Sequence, residues 1–116
     1  MIDSEIMKQY VIDELRYQDF EKIKSYLDQN FGESGVDDLY WIPLNPELFT
    51  PLQAEHTDCH PLYFALELTE NRVSCELLIR TRNRMRCDCI RYADQNQRNW
   101  ILDCMDAILE KLGISI

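Results

Sequence analysis

Glycine and proline are scarce in this chain, with three and four residues among 116. The three glycines, at positions 32, 35 and 113, cannot form a glycine-rich phosphate-binding loop. Apolar residues make up 46% of the chain, as in ordinary globular proteins, and the length suits one hydrophobic core. We therefore expect residues 1–116 to form a single domain.

Long apolar segments are also lacking. No apolar run approaches the roughly 20 residues that span a bilayer, and residues 1–6 show neither the basic nor the apolar region of a secretion signal. We expect a cytoplasmic protein with no membrane partner. In that reducing compartment the five cysteines should remain thiols.

Positive charge is in short supply, since 12 basic residues face 21 acidic ones and the net charge is −9. Residues 1–60 hold 13 acidic and 4 basic side chains, whereas residues 61–116 hold 8 of each. A negative field opposes binding to the phosphates of nucleic acid. Nucleic acid is therefore not an expected partner.

Hydrophobic periodicity predicts an α+β fold. Apolar residues recur at helical spacing over 4–31, which indicates either one kinked helix or a helix pair. Residues 39–44 indicate an edge strand, and the alternation over 62–92 indicates a three-stranded antiparallel meander. A capping box at Asp94 should begin a C-terminal helix. We expect an antiparallel sheet of three to four strands, packed by the N-terminal helix or helix pair and the C-terminal helix.

The first hairpin of the meander has a defined register. A two-residue turn at 70–71 aligns the apolar residues of the two flanking strands. The expected pairs are Leu68 with Val73, Leu66 with Cys75, and Phe64 with Leu77. Before the hairpin, two proline-containing helix starts predict one short helix or two turns between residues 46 and 56.

Half of the chain's arginines occupy alternate positions in seven residues, namely Arg80, Arg82, Arg84 and Arg86. Alternation predicts a strand that projects the four guanidinium groups from the outer sheet face. By parity Tyr63, Leu78 and Ile90 should share that face. An apolar surface bordered by arginine is typical of a protein interface, and the acidic first half of the chain is a complementary surface. A solvated sheet surface is the alternative interpretation.

The segment 56–60 is the densest in metal-ligating side chains, with His56, Cys59 and His60 as candidate zinc ligands. A zinc site normally draws ligands from two separated segments, and the sequence shows no obvious second contributor. Cys87 and Cys89 should point into the sheet core as small apolar residues, because their spacing differs from that of a zinc knuckle. We expect no cofactor, with zinc at 56–60 as the alternative.

Catalytic motifs are lacking, since the chain has no nucleophile elbow and no histidine placed to activate a cysteine. We expect a non-enzymatic protein: an interaction or adaptor module that forms a homodimer through the sheet face bordered by arginines. The alternative is a regulatory protein that binds a metal through His56, Cys59 and His60, or a small anion through the strand 80–86.

Overall fold

The computed structural model describes residues 8–32, 38–83 and 86–114. Within these ranges the chain has an α+β fold with one antiparallel sheet of six strands and three α-helices. The strands are β1 (Gln9–Ile12), β2 (Leu39–Pro43), β3 (Leu62–Thr69), β4 (Arg72–Glu76), β5 (Leu78–Thr81) and β6 (Arg91–Tyr92). The helices are α1 (Tyr17–Phe31), α2 (Pro51–Glu55) and α3 (Gln95–Lys111). The predicted class is confirmed, but the sheet has more than the expected three to four strands.

The N-terminal segment differs from the prediction of helix over 4–31. β1 is a strand, and α1 begins only at Tyr17; residues 1–7 lie outside the described residues. Two β-branched residues, Val11 and Ile12, favour extended backbone here. Glu14 then adopts a left-handed φ of 57°, which separates the strand from the helix. The apolar spacing that resembled a helix arises because β1 and α1 both contribute core residues.

Strand β3 lies at the centre of the sheet. β2 pairs with one edge of β3, and β4 and β5 pair one after the other with its opposite edge. β1 pairs with the outer edge of β4, and β6 pairs with the outer edge of β5. Leu77 separates β4 from β5: its N–H donates to the carbonyl of Lys8, and its carbonyl accepts from the N–H of Ala93. Lys8, which precedes β1, and Ala93, which precedes α3, are therefore both hydrogen-bonded to Leu77, where the strand is interrupted.

The register of the first hairpin is confirmed near its turn and shifts farther along. Leu68 pairs with Val73 and Leu66 with Cys75, as expected. Beyond Leu77, however, Leu62 pairs with Thr81, which places two additional residues in the β4–β5 segment. Because the shift is two residues, side-chain parity is preserved. Leu77 and Ile79 therefore both remain in the core, at 5% and 0% exposure.

The predicted arginine strand over 80–86 is wrong, because β5 ends at Thr81. The hydroxyl of Thr81 donates to the carbonyl of Cys59 and accepts from the backbone N–H of Asn83. Because the Thr81 hydroxyl occupies the N–H of Asn83, a local turn replaces further sheet pairing at this point. Apart from residues 84 and 85, which lie outside the described ranges, the chain from 82 to 90 is a loop that leads to the two-residue strand β6.

Helices α1 and α3 pack on one face of the sheet, which we call the inner face. The Tyr40 hydroxyl of β2 donates to Asp28 of α1 at 2.6 Å, and Phe64 of β3 meets Trp100 of α3 edge to face. Tyr40 and Phe64 are 1% and 0% exposed. Among the described helices, none is long and apolar enough to cross a membrane.

Candidate metal centre

A histidine and three cysteines converge at one end of the sheet, beside α2. The ligand atoms of His56, Cys59, Cys87 and Cys89 all lie within 4.8 Å of one another. The Cys87 sulfur lies 3.1 Å from His56 Nδ1 and 3.2 Å from the Cys59 sulfur. Around tetrahedral zinc, with bonds of about 2.3 Å, neighbouring sulfurs are about 3.8 Å apart. Small movements would therefore suffice to seat a zinc ion among these atoms.

The first pair of ligands comes from the end of α2. Thr50 and Gln53 form a capping box, which fixes where this short helix begins. His56 ends the helix, and a 3-10 turn over Thr57–Cys59 follows immediately. Tight winding across this junction brings the imidazole of His56 and the thiol of Cys59 to the same side. The predicted pairing of these two side chains in one site is thus consistent with the local geometry.

The second pair comes from the loop after β5. A turn closed by the hydrogen bond from the Ile90 N–H to the Cys87 carbonyl folds this loop back on itself. The backbone N–H of Cys89 lowers the pKa of the Cys87 thiol. Backbone donors of this kind orient a metal-binding thiolate and stabilise its charge. Cys89 itself is 0% exposed, whereas Cys87 is half-buried.

A buried glutamine connects the two ligand segments. Gln53, which is 0% exposed, donates from Nε2 to the carbonyl of Cys89 at 3.0 Å. Its Oε1 accepts from the backbone N–H of Thr50 and from Nε2 of Gln97. One side chain therefore caps α2 and holds the backbone of a candidate ligand.

Gln97 extends this network to α3. It belongs to the predicted capping box with Asp94, is 0% exposed, and donates from Nε2 to the carbonyl of Leu48 as well as to Gln53. Buried amide groups that are hydrogen-bonded at both ends hold their neighbours in one arrangement. The N-termini of α2 and α3 are thereby joined beside the cluster.

The turn that carries Cys59 is held from the opposite side by residues that follow β5. Thr81 donates to the Cys59 carbonyl at 2.6 Å, and Asn83 Nδ2 donates to the carbonyls of Asp58 and His60 at 3.3 and 3.0 Å. Fixed backbone on both sides reduces the conformational entropy that the ligands would lose on binding a metal.

The cysteine thiols of the cluster differ in acidity. The pKa of Cys87 is lowered to about 6, first by the N–H of Cys89 and then by contacts with His56 and Cys59. Burial raises the pKa of Cys89 to about 12. A dication among these sulfurs would favour thiolate at every position, since metal-bound thiols are deprotonated. Metal binding should therefore release protons.

The structure brings together two of the three predicted ligands and places the third outside the cluster. His60 turns away from the cluster: its Nε2 lies 2.6 Å from the carbonyl of Gln53, and its ring packs on Phe49. The expectation for Cys87 and Cys89 is confirmed only in part: Cys89 is buried in the hydrophobic core and Cys87 packs against it, but neither residue lies on a strand. The two-ligand spacing of each segment was the signal in the sequence, but it was not connected across the 27 residues between Cys59 and Cys87.

The predicted interface residues stay together only in part: Tyr63, Leu78 and Arg80 share one sheet face and Arg82 covers Tyr63, whereas Arg86 and Ile90 lie in the loop before β6. Arg80 forms an ion pair with Glu76 at 2.7 Å, whereas Arg82 lies over the rings of Trp41 and Tyr63. Arg86 lies beside the cluster of candidate ligands, and Arg84 lies outside the described residues. Tyr63 and Leu78 are half-buried strand residues, and Ile90 lies in the loop before β6. Arg80, Arg82 and Arg86 therefore have different environments.

An open cavity of about 350 Å³ lies beside the cluster. Its lining includes His56, Cys59 and Cys87 together with Glu55, Thr57, Asp58 and Arg86. Acidic and basic side chains both border this cavity, so its charge does not select an anion. The arrangement as a whole is one that could hold a metal ion such as zinc.

No protein-family model matches this chain, nor does any curated protein or solved structure.

Proposed function

We propose that this protein is a zinc-binding domain, with His56, Cys59, Cys87 and Cys89 as the four ligands. The observation that carries the proposal is the convergence of their ligand atoms within 4.8 Å. Two separated segments supply two ligands each, as in known structural zinc sites. Thiolate and imidazole ligands favour zinc over the hard cations magnesium and calcium, which prefer oxygen.

The proposed role of the ion is structural. Four protein ligands fill a tetrahedral shell and leave no position for a substrate or an activated water. Zinc would connect the turn after α2 to the loop after β5, whose other anchors include the hydrogen bond from Gln53 to Cys89. Metal binding would stabilise the folded chain, because a site of this kind rarely exists before folding.

Metal analysis of the full chain, purified without a histidine tag, tests the proposal. We expect one equivalent of zinc, and after cobalt exchange the intense visible absorption of a tetrahedral sulfur-rich site. Cys87→Ser and His56→Gln should each lower metal affinity by at least tenfold. Cys104→Ser and His60→Gln should retain the metal, since neither side chain belongs to the cluster.

Two results would contradict the proposal. One is the absence of stoichiometric binding when the reduced protein is titrated with zinc. The other is retention of full affinity in Cys87→Ser and His56→Gln, which would show that zinc binds elsewhere. Loss of binding in His60→Gln alone would favour the ligand set that was predicted from the sequence.

A further inference from the structure

The face of the sheet opposite α1 and α3, which we call the outer face, is not covered by any helix in the described parts of the chain. Trp41 of β2 and Tyr63 of β3 lie on it, half-buried, with their ring centroids 6.3 Å apart. At the opposite edge Val11 and Tyr92 are 36% and 39% exposed. Exposed aromatic and aliphatic groups on one face are typical of a protein interface.

Cations lie over the aromatic rings of this face. The Arg82 guanidinium is 5.6 Å from the Trp41 centroid and 5.7 Å from that of Tyr63, and Lys8 is 5.3 Å from that of Tyr92. Arg82 makes no ion pair with any residue that the structure describes, so its charge is available to a partner. Cation–aromatic contact holds the guanidinium flat against the sheet.

Charges of opposite sign flank the middle of β3. Its outward residues run Tyr63, Ala65 and Glu67, and Arg82 covers the first of these. Glu67 is exposed, and within the described ranges no ion pair involves it. Ala65, between them, presents a small side chain at 9% exposure, which allows another surface to approach closely. Arg82 and Glu67 therefore lie on opposite sides of a small central residue.

We propose that the outer face binds a second copy of this chain through a two-fold axis that passes over Ala65, across the strands. Such an axis makes the two β3 strands antiparallel, so that position 63 of one copy lies over position 67 of the other. Arg82 of each copy then meets Glu67 of the second copy, and the two Trp41 side chains approach at the centre. The face is therefore self-complementary in charge, with the apolar side chains of Trp41 and Ala65 between the charges.

The size of the face suits a reversible dimer. Four strand positions across the sheet span about 19 Å, and the eight residues of β3 span about 26 Å. The projected area is therefore roughly 500 Å² per copy, near the lower limit of about 1,000 Å² in total for specific interfaces. We expect a monomer–dimer equilibrium that depends on protein concentration, independent of whether the metal site is occupied.

Sedimentation equilibrium of the full, zinc-supplemented chain over a range of concentrations tests this proposal. Arg82→Glu and Glu67→Arg should each weaken the dimer by about tenfold, because each replaces two symmetry-related attractions with repulsions. The double variant restores opposite charges and should recover most of the affinity. Lys22→Glu reverses a charge on α1, away from the outer face, and should leave the dissociation constant unchanged.

Three outcomes would overturn the proposal. A monomer at all concentrations in low salt would exclude self-association and leave the outer face to a different protein. A dimer unaffected by Arg82→Glu and Glu67→Arg would place the interface elsewhere. Failure of the double variant to recover affinity, with each variant folded by circular dichroism, would refute the antiparallel two-fold arrangement.

Discussion

Replacing Gln53 by methionine tests whether the buried amide network positions the metal ligands. Methionine has a similar length but forms none of the three side-chain hydrogen bonds of Gln53, which involve Cys89, Thr50 and Gln97. A net hydrogen bond contributes about 0.5–1.5 kcal/mol, and a buried group that loses its partner costs about 1–3 kcal/mol. We expect the metal-free protein to lose about 2–4 kcal/mol of unfolding free energy.

With zinc bound, the same substitution should cost more. Gln53 holds the backbone carbonyl of Cys89, and loss of such an outer contact typically lowers metal affinity by about 10–100-fold. At saturating zinc this factor adds about 1.4–2.7 kcal/mol to the loss of stability. Urea unfolding with zinc and with a chelator measures both quantities, and a competition titration measures the affinity itself.

Gln97→Met is the matched control. Gln97 is as deeply buried as Gln53 and also makes three side-chain hydrogen bonds, but these involve Asp94, Leu48 and Gln53 rather than a ligand. Its loss of stability should be about equal with and without zinc. If Gln53→Met behaves in the same way, or if Gln97→Met has the larger effect on zinc affinity, the positioning role of Gln53 is refuted.

Three further predictions concern the metal-free thiols and one buried tyrosine. The pKa of Cys87 is lowered from 9.0 to about 6, so the contribution of this thiolate to folding stability is complete above pH 9 and is lost as the pH falls through 6. Alkylation of Cys87 by iodoacetamide should therefore accelerate across pH 6. An onset of alkylation only near pH 9 would contradict the contacts assigned to the Cys87 sulfur. Hydrogen peroxide should join Cys59 to Cys87 in the metal-free protein, since the sulfurs are 3.2 Å apart, whereas saturating zinc should prevent the loss of two hydrogens seen by mass spectrometry of the digest. Tyr40→Phe should cost about 1 kcal/mol at neutral pH. That cost should shrink in acid, because the Tyr40 hydroxyl lowers the pKa of Asp28 below 3.8 and the benefit is lost as this carboxylate protonates; chemical denaturation at pH 7 and pH 2.5 checks it.

Local patterns were sufficient for the first hairpin and for the helix starts. The pairing of Leu68 with Val73 follows from alternation on either side of a two-residue turn. The capping boxes at Thr50 and Asp94 also act within four residues. The region 4–31 was interpreted wrongly because Tyr10 and Leu15, which precede α1, pack into the same core as the helix, so that the apolar pattern of α1 seems to continue towards the N-terminus.

The candidate metal site was only half predictable. His56 and Cys59 are close in sequence, and their residue types indicate zinc without any knowledge of the fold. Cys87 and Cys89 were assigned to the sheet because the alternating arginines before them imitate a continuous strand. Thr81 ends that strand through hydrogen bonds to Cys59 and Asn83, and the first of these is a tertiary contact that no local pattern contains.

The sequence by itself determined the class of the fold, the two faces of its strands and the starts of α2 and α3, because these depend on the spacing of apolar and capping residues along the chain. Only the tertiary structure decided that the loop after β5 meets the turn after α2. Contacts between residues 28 positions apart, such as that between Cys59 and Cys87, depend on where β5 ends and on how the buried amide side chains hold the loop that follows it. The scarce glycine and proline exclude particular loops and motifs, but they do not indicate which cysteines come together.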